Sequence, residues 1–429
     1  MTACKTPRKF LICTWEGGGS VGPKVTLARK LLAAGHSVRV MSDECNRPEA
    51  EAVGATFVPW TRAPNRTDRR RETEFFRDWA ASNPAEGFRE ATETVFAGPA
   101  LAYAQDVIEE LEREPADLVV SSDFLFGVMA GCEAIGQPLA AMACNSVLFP
   151  VEDAPRAGPG ADRVPTPEEA AQMQQMLAGF RAVFDASLPA LNTARAILGL
   201  QPLDALLGQL DSAKTTLVAI SKHFDMVVEP VPAAYRYVGP QLDDPAWTGT
   251  WASPWPRDDG RPLVLVGFST TFQNHAGVLQ KVIDALEGFP VRVLVTLGPT
   301  IGPEELSPAP NTRLVRSAPH NAVMREASLV VTHGGHGTVA RAMLHELPML
   351  VIPHGRDQDG NAARITAHGA GLMLPPSASA EQIAAAIDRL LGDPDFAVRA
   401  QALGREVARE AEQSPIVEIL EDLSCPAYA

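Results

Sequence analysis

Short apolar runs that stop at a turn and give way to helical pattern recur along the whole chain, and they leave few folds open. KFLICTW (9–15) leads into a glycine-rich turn, a helical stretch from about Val21 to Ala34, and then GHSVRVMSD. DLVVSSD (117–123) and PLAAMAC (138–144) repeat that pattern around another helical stretch, 126–136. Past residue 257 come PLVLVGFS, VRVLVTLG, TRLVRS, SLVVTHGG, PMLVIPHG and GLMLP, most of them separated by helical pattern. Runs that are apolar throughout belong to strands buried on both faces, and strand–helix alternation makes parallel sheets. The expected class is α/β, with two tandem Rossmann-like, doubly wound parallel-sheet domains facing a cleft. In such sheets the loops beyond the carboxyl ends of the strands carry the chemistry.

Length supports the division. The chain has 429 residues, 46% of them apolar and only 6% aromatic. That is comfortable for two domains of about 200 residues each. TLVAI (216–220) closes the first series. We expect an N-terminal domain over 1–221 and an interdomain linker over 222–257, rich in Pro, Trp and Asp. A C-terminal domain follows over 258–405, and a last helix over 406–429 is expected to cross back onto the first domain. Met173, Met176, Leu177, Phe180, Phe184 and Leu188, at spacings of three and four, read as core packing or as a binding-pocket wall. RAPNRTDRRR (62–71) reads as a solvated loop able to close over a ligand.

A net charge of −15 argues against nucleic acid and anionic membrane as partners, since both need the opposite sign. The six cysteines lie far apart and form no CxxC pair, as expected of reduced thiols in a cytoplasmic protein. No stretch reaches the roughly 18 apolar residues of a membrane span. The chain is expected to stay in the cytoplasm as a monomer or homodimer.

Gly17-Gly18-Gly19-Ser20-Val21-Gly22 matches GxGxxG between a strand and a helix, with Asp43 ending the next strand. Alone, that points to a nicotinamide or flavin enzyme, an NAD(P)-dependent oxidoreductase. The loops of the second half point elsewhere. SLVVTHGGHGTVARAML (328–344) runs a buried strand into His333-Gly334-Gly335-His336-Gly337-Thr338 and a helix. Glycines admit a ligand close to the backbone, and a helix N-terminus offers free N–H groups and a positive dipole end to an anion such as a diphosphate. His333 and Thr338 can add directional donors. In PMLVIPHGRDQDGNA (348–362), Asp357 and Gln358 are suited to vicinal sugar hydroxyls. His336, His345 and His354 lack the spacing of a zinc site, and no metal is expected.

With these loops the chain resembles the GT1-type glycosyltransferases of GT-B fold, a superfamily of plant and bacterial secondary-metabolite enzymes. The resemblance covers nearly the whole chain. It is most specific over 317–371, where THGGHGT, PHGRDQ and NAARITAHGAG keep the family's order and spacing. It implies a nucleotide sugar (UDP or dTDP) on the C-terminal domain, a small acceptor on the N-terminal one, and no cofactor or metal. His333, Gly335, His336, Gly337, Thr338, Ser269 and Thr270 would face the diphosphate, and Asp357 and Gln358 the sugar. Ser317, Ala318, His320 and Arg341 would lie by the nucleoside.

Transfer through an oxocarbenium-like state also needs a base for the acceptor hydroxyl, on the face opposite the leaving group, giving inversion. Many family members use the His of a His-x-x-Pro turn, backed by an Asp. Here the turn is Ser20-Val21-Gly22-Pro23, so the histidine is missing, while Asp123 matches the Asp. Asp123 is the expected base, directly or through Ser20, with Glu16 as the second candidate. Arg341 stands where UDP users often carry a ribose-binding Glu, and Ser317 replaces a base-stacking aromatic; both keep dTDP open. The missing histidine also leaves open a catalytically silent homologue acting as a helper subunit.

Overall fold

A computed structural model describes residues 6–146, 155–244, 249–256, 258–268 and 271–425. The apolar runs form strands for the reason their composition gives: the parallel pairing hides both faces. Seven strands build the first sheet: β1 (Lys9–Cys13), β2 (Ser37–Ser42), β3 (Thr56–Pro59), β4 (Leu118–Ser122), β5 (Leu139–Ala143), β6 (Thr216–Val218) and β7 (Tyr235–Tyr237). Six build the second: β8 (Leu263–Gly267), β9 (Arg292–Thr296), β10 (Thr312–Val315), β11 (Ala327–Thr332), β12 (Met349–Val351) and β13 (Gly371–Met373). The orders are β3-β2-β1-β4-β5-β6-β7 and β10-β9-β8-β11-β12-β13. All recorded pairings are parallel; Phe10 of β1 sits opposite Leu118 of β4, and Val266 of β8 opposite Val331 of β11. Each order reverses beside its first strand, between β1 and β4 and between β8 and β11. Those two crevices are where doubly wound sheets bind ligands.

Each sheet is covered on both faces by its own apolar clusters. The first sheet extends beyond the expected boundary at 221, because β7 lies inside the stretch read as linker and pairs with β6. The same stretch sends Phe224 and Trp255 into the second domain's core, beside Leu263 and Leu265. The last two helices pack on different sheets. The helix Pro394–Glu412 packs on the second domain through Leu403 and Val407. The helix Ile416–Leu423 then buries Ile416 and Leu420 against Phe10, Leu27 and Leu31 of the first. Two such fully buried side chains contribute about 1.5–3 kcal/mol each to holding the tail there.

Two expectations fail on packing grounds. The Met–Phe stripe joins the core only at Phe184: Met173 and Met176 are 51% and 50% exposed on the helix Pro167–Asp185. The basic run is not a solvated loop. Arg66 is buried and ion-paired to Glu74 at 3.0 Å, and Arg69 reaches Glu16 at 3.0 Å and Glu49 at 2.7 Å. Arg62 binds Asp106 at 3.2 Å. Acids brought in from other elements, invisible to a local reading, satisfy these guanidinium groups. No helix among the described residues is long and apolar enough to cross a membrane.

Candidate active site

The turn after β1 is built around Trp15. A Cβ on Gly17 would lie 2.4 Å from the indole, so only glycine lets the chain fold over it. The indole packs edge-on to Phe96 at 5.1 Å. Glu16 turns inward, accepting from the Gly18 amide (2.9 Å) and from Arg69. Asp43 is fully buried, its two oxygens taken by the amides of Glu16 and Arg66, both at 2.7 Å. Burial pushes its pKa up to about 7. An acid so enclosed cannot grip a ribose, and this removes the dinucleotide reading of the glycine turn. Its glycines serve the tryptophan.

Ser20 donates its hydroxyl to the Trp15 carbonyl (2.9 Å) and, among the described residues, makes no hydrogen bond to Asp123. Asp123 follows β4 at the β1–β4 crevice. It is 4% exposed, and its Oδ2 has no hydrogen-bond partner among the described residues. Burial raises its pKa to about 6, opposed by the positive charge of Lys24. A carboxylate with a free oxygen and raised basicity is equipped to take a proton near neutrality.

In the second domain, β11 ends at Thr332 and the helix His336–Leu344 begins after two glycines. Gly334 holds φ +96°, and a Cβ there would meet Val351 Cγ1 at 2.7 Å. The His333 ring folds over Gly335, whose Cβ would come within 2.6 Å of Nε2. The first amides of the helix, those of His336 and Gly337, have no acceptor within it. Thr338, half-buried in the first turn, stands beside them. Asn361 locks the loop, donating to the Gly334 carbonyl and to Asp357, both at 2.9 Å.

Phe268, just after β8, stacks on His333 at 5.9 Å and on His275 at 5.4 Å, with His354 edge-on at 5.7 Å. Burial lowers the basicity of all three imidazoles: His275 to about 3, His333 well below its ordinary value, and His354 in the same direction. His336 is brought down to about 4 by the same cause. These rings are therefore neutral at pH 7. Ser269 and Thr270 lie outside the described residues.

Asp357 stands just before the helix Gln358–Ala367 without a side-chain bond to its amides, and burial raises its pKa. Gln358 is buried, its amide accepting from the His354 N–H (2.7 Å) and donating to Gln273 (3.0 Å). His320 covers Gly267 and sits 3.2 Å from Thr296 Oγ1, with Ser317 and the buried Ala318 just before it. Arg341 binds back to the connecting segment, to the Asp243 carbonyl at 2.6 Å and the Asp244 carboxylate at 3.5 Å.

One part of the site escaped the sequence reading. Segment 66–80 bridges the two sets of loops. Arg356 donates to Asp78 (2.6 and 3.1 Å) and to Thr271 Oγ1 (2.9 Å). Phe272 is held between Arg71, 3.8 Å above its ring, and the edge of Trp79 at 4.9 Å, while its amide donates to Glu74 (3.3 Å). Since Arg69 of that segment also holds Glu16, the turn after β1 and the loops after β8 and β12 form one wall. Nothing local in the sequence marks those partners.

Two facing doubly wound domains with a crevice in each define a GT-B architecture. Residues 280–423 match the model of the erythromycin biosynthesis protein CIII-like C-terminal domain. The 4'-demethylrebeccamycin synthase of Lentzea aerocolonigenes is 28% identical over 97% of this chain and 99% of its own. The demethyllactenocin mycarosyltransferase of Streptomyces fradiae is 28% identical over 49% of this chain and 46% of its own. Among solved structures, the glycosyltransferase of kitacinnamycin superposes with a TM-score of 0.75 at 18% identity, over 97% of this chain and 99% of that one. The calicheamicin glycosyltransferase gives 0.73 at 21%, over 97% and 98%. The chain is similar to glycosyltransferases of secondary metabolism and shares the GT-B fold.

Proposed function

We propose that this protein moves a hexose from UDP or dTDP to a hydroxyl of a small, apolar or aromatic acceptor, with inversion and without a metal. The observation that carries the reading is the His333 loop: an imidazole folded on a glycine at the mouth of the β8–β11 crevice, above the free amides of His336 and Gly337. Those amides, Thr338 and the His333 donor would take the charge growing on the departing diphosphate, and pre-aimed donors of this kind lower barriers strongly. Asp357 would meet the sugar, with Gln358 holding the loop behind it. The nucleoside would lie over Ser317, Ala318 and His320. Arg341, engaged with the connecting segment, would act there by fixing the pocket's edge. Support for dTDP comes from a relative: the fold neighbour VinC was solved with that nucleotide.

Asp123 would accept the proton directly. Glu16, paired with Arg69, and Ser20, bonded to Trp15, would shape the turn. The exposed Met173–Met176–Phe180 face would suit an apolar acceptor. The test is transfer from dTDP- and UDP-hexoses to a panel of phenols and macrolides. Asp123→Asn should lose about 10²–10⁴ in rate, as removal of a general base does. Ser20→Ala and Glu16→Gln should keep most of it. Wild-type rates in Asp123→Asn would refute the assignment, and no product from any donor would favour a silent helper subunit.

A further inference from the structure

Arg356 stands one residue before Asp357, in the loop that leads from β12 to the helix Gln358–Ala367. Its backbone is left-handed, with φ +59°, directly after Gly355 at φ +127°. A residue with a Cβ enters that region at a cost and persists there where its surroundings impose it. Here the side chain is tied down on three sides. Nε and Nη2 donate to the two carboxylate oxygens of Asp78 (2.6 and 3.1 Å), and Nη1 donates to Thr271 Oγ1 (2.9 Å). The guanidinium also lies 5.5 Å from the centre of the Phe76 ring, and Phe76 packs on Trp15 at 6.3 Å. Two-pronged pairing of arginine with carboxylate fixes an orientation as well as a distance. The Arg356 and Asp78 side chains are only 25% and 18% exposed, so salt screens the pair less than one in open solvent.

The two ends of this tie come from different domains. Phe76 and Asp78 belong to the first, and Arg356 and Asp357 to the second. The His333 loop differs, because its supports are the second domain's own: Asn361 binds the Gly334 carbonyl, and Phe268 stacks on the His333 ring. Asp357 therefore sits between an internal tether, Asn361 at 2.9 Å, and a neighbour held from across the cleft. We propose that Arg356 is a positioning residue for the donor sugar, and that Asp78 of the first domain completes the sugar subsite of the second. The second domain alone then binds the nucleoside diphosphate, while the hexose is gripped firmly only with the acceptor-side domain in place. The proposal rests on the reading above, in which the His333 loop takes the diphosphate and Asp357 the hexose.

Calorimetric titration of the whole protein with dTDP, UDP and a panel of their hexose conjugates separates the two parts of the donor. The readout is the ratio of Kd for the nucleotide sugar that the wild type binds best to Kd for its bare nucleotide. Arg356→Met and Asp78→Asn should each raise that ratio about tenfold or more, with the bare-nucleotide Kd within about twofold of wild type. Arg356→Lys keeps the charge but loses the fork, and should raise the ratio less. Asp78→Asn carries the most weight, because it exchanges one oxygen for an amide in the other domain and leaves the strap its shape. An unchanged ratio in either Arg356→Met or Asp78→Asn would overturn the proposal. Equal losses for bare nucleotide and nucleotide sugar would overturn it too, since a tie that only supports the fold weakens both alike. If Arg356→Met does not fold, Asp78→Asn alone decides. A wild type that binds no nucleotide at all would remove the donor-site reading itself, and this proposal with it.

Discussion

Gly335 has to be glycine because of its neighbour's ring. The Cβ of Gly335→Ala would stand 2.6 Å from His333 Nε2, so the imidazole must leave the loop. The substitution should cost little in fold stability, since the loop is half-exposed at that point, and much in donor affinity. We expect the thermal-shift response to dTDP to fall by at least tenfold in apparent affinity, about 1.4 kcal/mol. An unchanged response would show that His333 does not face the ligand. Asp123 allows a second test at this scale. Its folded pKa of about 6 lies above the ordinary value of 3.8, so folding holds that proton more tightly than the unfolded chain does. Its contribution is therefore most favourable below pH 4 and is lost as pH rises from about 4 to 6. Relative to Asp123→Asn, which stays neutral, the wild type should lose about 1–2 kcal/mol of unfolding free energy between pH 5 and 7.5 in urea titrations. A difference that does not vary with pH would contradict the burial argument.

At the scale of elements, the strap 66–80 is the component that a local reading cannot find. Glu74 meets Phe272 across 198 positions, and Arg356 meets Asp78 across 278. The runs of the two sheets were legible because burial on both faces imposes an apolar composition that needs no knowledge of the partner. The HGGHGT loop was legible because glycines, a histidine and a helix start fall together in sequence. The glycine turn after β1 matched a fingerprint for a different reason: its glycines answer to Trp15, and the acid at the right distance, Asp43, is spent on two backbone amides. Gln358 shows the same limit, since its residue type suits a sugar while its neighbours Gln273 and the His354 amide claim it. For the strap itself, a double-mutant cycle on Arg356→Met and Asp78→Asn should give a coupling of about 1–2 kcal/mol in kcat/KM for transfer. Additive effects would mean that the ion pair does not join the two loop sets in the working enzyme.

Across the whole molecule, the two domains are tied together at several places, and the cleft lies among these ties. The helix Ile416–Leu423 anchors the tail on the first sheet, and Asp225 on the connecting segment receives Ser146 Oγ (2.5 Å) from the first domain and Arg364 (2.8 Å) from the second. Asp243 adds a further tie, accepting from Arg29 of the first domain at 2.7 Å and, through its carbonyl, from Arg341 of the second at 2.6 Å. Ties of this kind suit a reaction in which donor and acceptor are held by different domains and the reacting atoms must be brought to about 3–3.5 Å. A crystal structure with dTDP bound examines that arrangement most directly. The diphosphate is expected on the amides of His336 and Gly337, within hydrogen-bonding reach of His333 and facing Asp123 across the cleft. Nucleotide seated at the Gly17–Ser20 turn, with the His333 loop empty, would contradict it.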